Sequence, residues 1–235
     1  MKYMGSKARY TKSILPIILA NRAPDQWYVE PFVGGANVID KVSGPRIGAD
    51  INPYLIALLE ALRDGWIPPR LTRDEYNTIR ADKGAHETCL VGWAGVGCSY
   101  SGKWFGGYAG TVQTRDGVRD YIAEAIANAT RQAKGLAGAE FVSLSYDQIT
   151  LPPSSLVYCD PPYADTTSYA NTFDTPAFWE WCCHAVDAGH RVFVSEYRAP
   201  EDWCCVWEGR ATSSLSANGK CGGNKVSTER LFTKG

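Results

Sequence analysis

The chain has 235 residues, 45% of them hydrophobic and 21% charged, which is enough apolar material for a well-buried core and too much for an overall disordered chain. Its 24 basic side chains against 25 acidic ones give a formal net charge of -1. That excludes a uniformly cationic nucleic-acid binder and leaves room for a locally basic cleft.

In chain order, a basic segment with Lys2, Lys7, Arg9 and Lys12 leads into a helix predicted to end near Ala20. Basic opening and apolar run together mimic a secretion signal, but Pro16 interrupts the run and no stretch approaches membrane-spanning length, so a cytoplasmic protein is expected. A strand over residues 27–33 runs into Gly34-Gly35, followed by a predicted helix over 36–42 that Gly44-Pro45 stops. A second strand over 46–51 contains Asp50 near its end. Asn52 then offers an N-cap, with Pro53 at the first position of an apolar helix to about Leu62. Such alternation predicts an α/β fold, a doubly wound and mostly parallel sheet with helices packed on it.

Residues 64–114 break the pattern. The run from Gly92 to Tyr108 is rich in Gly, Trp and Tyr and too long for a simple connection. It reads as part of an insertion with its own task. An amphipathic helix is expected over 117–134, closed by Gly135. Strands are expected over 141–146, 155–160 and 190–197, a helix over 178–186, and a terminal hairpin over 206–232 with a polar loop at 213–227. The domain reading is therefore a catalytic α/β domain from residues 1–63 and 136–235, interrupted by an insert over 64–135.

The eight cysteines include the adjacent pairs Cys182-Cys183 and Cys204-Cys205. Neighbours on a strand or helix point apart, so neither pair suits a bridge or a chelate. With no C-x-x-C and with His86, His184 and His190 scattered, no metal site is expected, and the thiols are expected to be buried and reduced.

Asp160-Pro161-Pro162-Tyr163 follows the apolar run Leu156-Val157-Tyr158-Cys159, so Asp160 should stand at the carboxyl end of a buried strand, where parallel sheets place ligands. Two prolines remove backbone donors and leave carbonyl acceptors. A carboxylate, the Pro161 carbonyl and the flat face of Tyr163 suit an amine on a planar ring. Gly34 and Gly35 permit a close backbone approach, but G-x-G-x-x-G is absent, which disfavours a nicotinamide oxidoreductase. Asp50 is placed to accept from a pair of ribose hydroxyls.

These residues resemble the amino-group DNA methyltransferases, and their order resembles the Dam-like, D12-class adenine-N6 enzymes. Asp160-Pro161-Pro162-Tyr163 matches the D-P-P-Y motif. Glu30-Pro31-Phe32-Val33-Gly34-Gly35 looks like the cofactor loop, Ala49-Asp50-Ile51-Asn52 like the acidic strand end, and Lys2-Tyr3-Met4-Gly5-Ser6-Lys7 like the N-terminal lysine motif. Val194-Ser195-Glu196-Tyr197 and Glu229-Arg230-Leu231-Phe232 also fit. The resemblance implies a Rossmann-like class I fold and S-adenosylmethionine as methyl donor, with S-adenosylhomocysteine as product and no metal. It implies cofactor contacts from Tyr3, Lys7, Pro31, Phe32, Gly34, Asp50 and Asp160, catalytic roles for Asp160, Pro161, Pro162 and Tyr163, and double-stranded DNA as partner. DNA contacts are expected from Tyr100, Lys103, Trp104 and Tyr108, with Ser99 and Ser101 standing where a basic or amide reader of a G-A-T-C target would be. The target base would leave the duplex and stack on Tyr163, an interaction of roughly 1 to 3 kcal/mol. Transfer would be direct, and Cys159 is expected to point away and stay inert.

A cytosine-N4 methyltransferase would use the same acceptors, and a DNA-binding or cofactor-binding module without activity is the reading from another class. A monomeric orphan enzyme of phage type is the expected setting.

Overall fold

Asn52 shows how local chemistry sets the framework: its Oδ1 accepts from the backbone N–H groups of Tyr54 and Leu55 at 3.1 and 3.4 Å, and Pro53 behind it needs no partner for an N–H it lacks. The apolar helix of residues Pro53–Arg63 grows from that cap. The computed structural model describes residues 1–115, 117–162, 173–213 and 225–234. In chain order its main elements are α1 (Thr11–Ile18), β1 (Tyr28–Glu30), β2 (Arg46–Ala49), α2 (Pro53–Arg63), α3 (Arg73–Ala81), α4 (Thr88–Gly92), β3 (Thr111–Thr114) and β4 (Gly117–Asp120). There follow α5 (Tyr121–Leu136), β5 (Ala139–Val142), β6 (Leu156–Cys159), α6 (Thr175–Asp187), β7 (Arg191–Glu196), β8 (Cys204–Ser213) and β9 (Lys225–Thr233).

Seven strands form one sheet in the order β5-β2-β1-β6-β7-β9-β8. The pairs β1–β2, β2–β5 and β6–β7 are parallel, whereas β9 runs antiparallel to both β7 and β8. This is the mostly parallel, Rossmann-like α/β arrangement expected from the sequence, ending in an antiparallel hairpin. The chain divides into two compact units: residues 1–11 with 27–150, and residues 12–26 with 151–235.

In the first unit, Leu55, Leu58, Leu59 and Leu62 of α2, together with Trp93, Ile122 and Leu136, are fully buried. In the second, the whole of β6 is buried, as are Phe178, Cys182, Val192 and Val194. At the foot of β6 the Ser155 backbone N–H donates to His190 Nδ1 at 3.0 Å, and the Arg191 N–H donates to the Ser155 carbonyl at 3.0 Å.

Two predicted helices differ. Residues 36–42 form only one 3-10 turn, Ile39–Lys41, because Gly34 (φ 48°) and Ala36 (φ 53°) adopt left-handed conformations that end any continuous helix before it starts. The helix expected over 117–134 starts at Tyr121 instead, since residues 117–120 pair with 111–114 as a two-stranded hairpin and Asp120 caps the helix by accepting from Ile122 and Ala123. It also runs through Gly135 to Leu136. Gly135 is no stop signal. A Cβ there would come within 2.3 Å of the Asp40 carbonyl oxygen, so its role is close packing.

The seven described cysteines form no disulfide. Cys98, Cys159 and Cys182 are buried as expected, and burial pushes the Cys98 thiol up to about 12. Cys204 and Cys205 are exposed, because β8 carries them outward. Among the described residues no helix is long and apolar enough to cross a membrane, and no cluster of His, Cys, Asp or Glu could hold a metal ion.

Candidate active site

In the first unit the end of β1 turns sharply. The Ala36 N–H donates to the Val33 carbonyl at 2.8 Å, which closes the four-residue turn around Gly34 and Gly35, and the Val33 N–H donates to the Ala49 carbonyl at 2.8 Å. The Gly34 N–H then reaches Asp50 Oδ2 at 3.2 Å, while the Asn52 N–H reaches Asp50 Oδ1 at 2.9 Å. Burial pushes the Asp50 carboxyl above its ordinary 3.8, and these two N–H groups oppose the shift. Ile51, beside it, is 75% exposed, an apolar side chain held in the open next to an acceptor.

Tyr3 lies against this turn. A Cβ on Gly34 would sit 2.7 Å from the Tyr3 ring, and one on Gly35 would sit 2.5 Å from Tyr3 Cβ. The room that the glycines leave is therefore occupied by an aromatic side chain from the N-terminal motif. Lys7 is buried, and its Nζ donates to the Gly5 carbonyl at 3.4 Å. Pro31 is buried, while Phe32 is half-buried and stacks on Tyr146 at 5.4 Å between ring centroids. The structure thus brings Tyr3, Gly34 and Asp50 together around one turn. An acceptor-only carboxylate, half-buried aromatic rings and an exposed Ile51 fit the ribose and adenine of an adenosyl group.

The second unit carries Asp160 immediately after β6, half-buried, with Pro161 buried behind it. Cys159 is paired in register with Val194 of β7, and Tyr158 shares a 2.8 Å hydrogen bond with Ser195. Glu196 is buried and its Oε2 accepts from the Tyr197 N–H. Arg230 Nη1 donates to the Tyr197 carbonyl at 2.7 Å, so the two late sequence motifs are bonded to each other. Tyr163 lies outside the described residues.

The four residues expected at DNA divide by environment. Tyr100 (58% exposed) and Lys103 face solvent. Trp104 is a packing residue: it stacks on Tyr54, meets Phe105 edge-on at 4.9 Å and covers Gly95, where a Cβ would lie 2.4 Å from the indole. Tyr108 donates its hydroxyl to the Leu71 carbonyl at 2.6 Å, and Arg73 lies over its ring. Ser99 is buried, bonded to the Tyr76 hydroxyl and the Ala94 carbonyl.

Sequence reasoning missed Gln132. It sits in α5 on the buried stripe of Ile122, Ala125, Ala129 and Leu136, and it reaches the turn at Gly35. A polar residue within an apolar helical stripe is the signal that could have found it.

Residues 3–84 match the model of the family described as D12 class N6 adenine-specific DNA methyltransferase. Tyr3, Lys7, Gly34 and Asp50 fall inside the matched D12-class stretch, and Asp160 falls outside it. The strand order is that of a mostly parallel, Rossmann-like α/β sheet, in keeping with that match. Among solved structures, a conserved hypothetical protein from Streptococcus pyogenes is 9% identical, with 94% of each chain covered and a TM-score of 0.32. A second protein, provisionally named a methyltransferase and solved in complex with SAH, is 11% identical with a TM-score of 0.38; 99% of this chain aligns, spanning 54% of that one. Likeness at this level carries no functional assignment. No curated protein matches the chain.

Proposed function

We propose that the chain transfers the methyl group of S-adenosylmethionine to the exocyclic N6 amine of adenine in double-stranded DNA. The observation that carries this reading is Asp160, at the end of a fully buried strand and followed by two prolines without N–H groups. An adenine amine is a poor nucleophile because its lone pair is delocalised into the ring. Asp160 and the Pro161 carbonyl accept from its two N–H groups and favour tetrahedral character at nitrogen. When bound, S-adenosylmethionine supplies an electrophilic methyl. The N–C bond forms as the S–C bond breaks, the sulfonium leaves as a neutral thioether, and the surplus amine proton passes to water.

Tyr3, Lys7, Pro31, Phe32, Gly34 and Asp50 hold the cofactor in this reading. Asp50 accepts from the ribose hydroxyls, and Lys7 pairs with the cofactor carboxylate. Tyr163 stacks on a base turned out of the duplex. Residues 64–135 contact DNA, with Tyr100 and Lys103 available at the surface and Trp104 and Tyr108 shaping the loop beneath them.

Incubation with radiolabelled methyl donor and duplex DNA, followed by nucleoside analysis, tests the reaction. N6-methyladenine is expected. N4-methylcytosine as the labelled product, or no label in DNA, would overturn the proposal.

A further inference from the structure

The turn at residues 33–36 is held in a conformation its own residues do not favour. Ala36 is fully buried at φ 53°, in the left-handed region that side chains rarely adopt, two residues after Gly34 at φ 48°. Such a conformation persists only where the surroundings fix it.

Gln132 supplies that constraint. Its Nε2 donates to the Gly35 carbonyl at 2.9 Å and to the Ala36 carbonyl at 2.9 Å, and the side chain is buried. Carbonyl oxygens can only accept, so the amide nitrogen faces the turn, with Asn37 Oδ1 a longer third acceptor at 3.4 Å, while Gln132 Oε1 accepts from the Met1 ammonium at 2.8 Å. The helix bearing it cannot slide easily. Gly135 packs directly on the Asp40 carbonyl, and Arg46 Nη2 donates to the carbonyls of Gly135 and Ala137 at 2.8 Å each. The Gly35 and Ala36 carbonyls are thereby pinned from one side while the Gly34 N–H is aimed at Asp50 from the other.

We infer that Gln132 is a positioning residue for the cofactor: it fixes the left-handed turn so that Asp50 is oriented before ligand arrives. This rests on the methyltransferase reading of the same turn. It assigns to α5 a role in cofactor binding distinct from the DNA contacts expected of the rest of residues 64–135. Ordering the turn beforehand lowers the conformational cost of binding. Loss of the two bonds should therefore appear in cofactor affinity, not in the chemical step.

Gln132→Met keeps the length and removes both donors, together with the acceptor of the Met1 ammonium. Its affinity for S-adenosylhomocysteine, read by titration calorimetry, should fall about tenfold and KM for S-adenosylmethionine should rise equally, with kcat and DNA affinity within about twofold of wild type. Hydrogen exchange at residues 33–37 should quicken in the variant without ligand. A lowered melting temperature with unchanged homocysteine-adduct affinity would make Gln132 a structural brace and overturn the inference. Should Gln132→Met fail to fold, Gln132→Glu serves: its carboxylate still accepts from the Met1 ammonium but offers no donor to the two carbonyls. Its affinity for S-adenosylhomocysteine should also fall about tenfold at neutral pH, and wild-type affinity in that variant would overturn the inference. Wild-type protein that binds no S-adenosylhomocysteine would instead sink the methyltransferase reading itself, while faster exchange at residues 33–37 in the variant would still identify the clamp.

Discussion

Asp50 and Asp160 are both carboxylates that follow a strand, and the proposed function gives them different tasks. Asp50 is supported by two backbone N–H groups, yet burial still raises its carboxyl above 3.8. Its ionised form is therefore costly in the folded protein, and that cost is relieved as the pH falls through the raised value. In the proposed reading ribose hydroxyls donate to the ionised form, so S-adenosylmethionine affinity should fall as the pH drops through the raised value. Asp50→Ala should weaken cofactor binding more than DNA binding and flatten that pH dependence. Separate titrations of the two ligands check this, and equal losses of both would contradict the ribose role. At Asp160 the expectation concerns rate. Asp160→Ala should retain the fold and S-adenosylhomocysteine binding while methyl transfer drops by at least about 10²-fold. An active variant in a single-turnover assay would remove Asp160 from the chemistry.

Elements were legible from the sequence where a local signal met no long-range competitor. The cap at Asn52, Pro53 and the leucines behind them placed α2 almost to the residue. The buried strand before Asp160 was legible for the same reason. The turn after Gly35 was not, because its carbonyls are bonded to Gln132 nearly a hundred residues away, and no local pattern carries that information. Helix α5 was displaced in the same manner: residues 117–120 would serve a helix, but pairing with 111–114 captures them as a strand. The glycines beside Tyr3 show how far sequence reads a site. Their small size suggested a close approach to a ligand, and the structure places the Tyr3 side chain in that space.

The foot of β6 adds a dependence on pH. His190 Nδ1 accepts the Ser155 N–H, which requires the neutral ring, and burial lowers the imidazole below its ordinary 6.5. The unfolded chain therefore takes up the proton first. This stability is fully present above pH 6.5 and is lost as the pH falls toward and through the lowered folded value. Urea unfolding at pH 8 and pH 5.5 should show a larger fall in midpoint for wild type than for His190→Gln, whose amide oxygen can still accept. Equal falls would mean that His190 does not titrate on unfolding.

Over the whole molecule, the net charge of -1 conceals an uneven distribution. Every charged side chain from Asp160 to Asp187 is acidic, while Lys2, Lys7, Arg9 and Lys12 open the chain. In the region between, several of the cations are already matched: Arg70 pairs with Asp120 at 2.7 Å and Arg119 with Glu124 at 2.6 Å, and Lys2 of the opening segment also reaches Glu124 at 3.6 Å. Exposed pairs of this kind contribute little to stability and are screened by salt. They matter here because a cation held by a carboxylate must leave it, or share it, to neutralise a phosphate. Lys103 is exposed on the aromatic loop, its stem packed against Gly106. If each phosphate contact releases its counterions, Lys103→Ala should lower DNA affinity and reduce the slope of log affinity against log salt by about one. Arg70→Ala should reduce it by less, since Arg70 is already neutralised by Asp120 in the free protein and displaces fewer counterions from the backbone. Affinities measured from low to physiological salt separate the two residues, and an unchanged slope in Lys103→Ala would place the aromatic loop away from the phosphates.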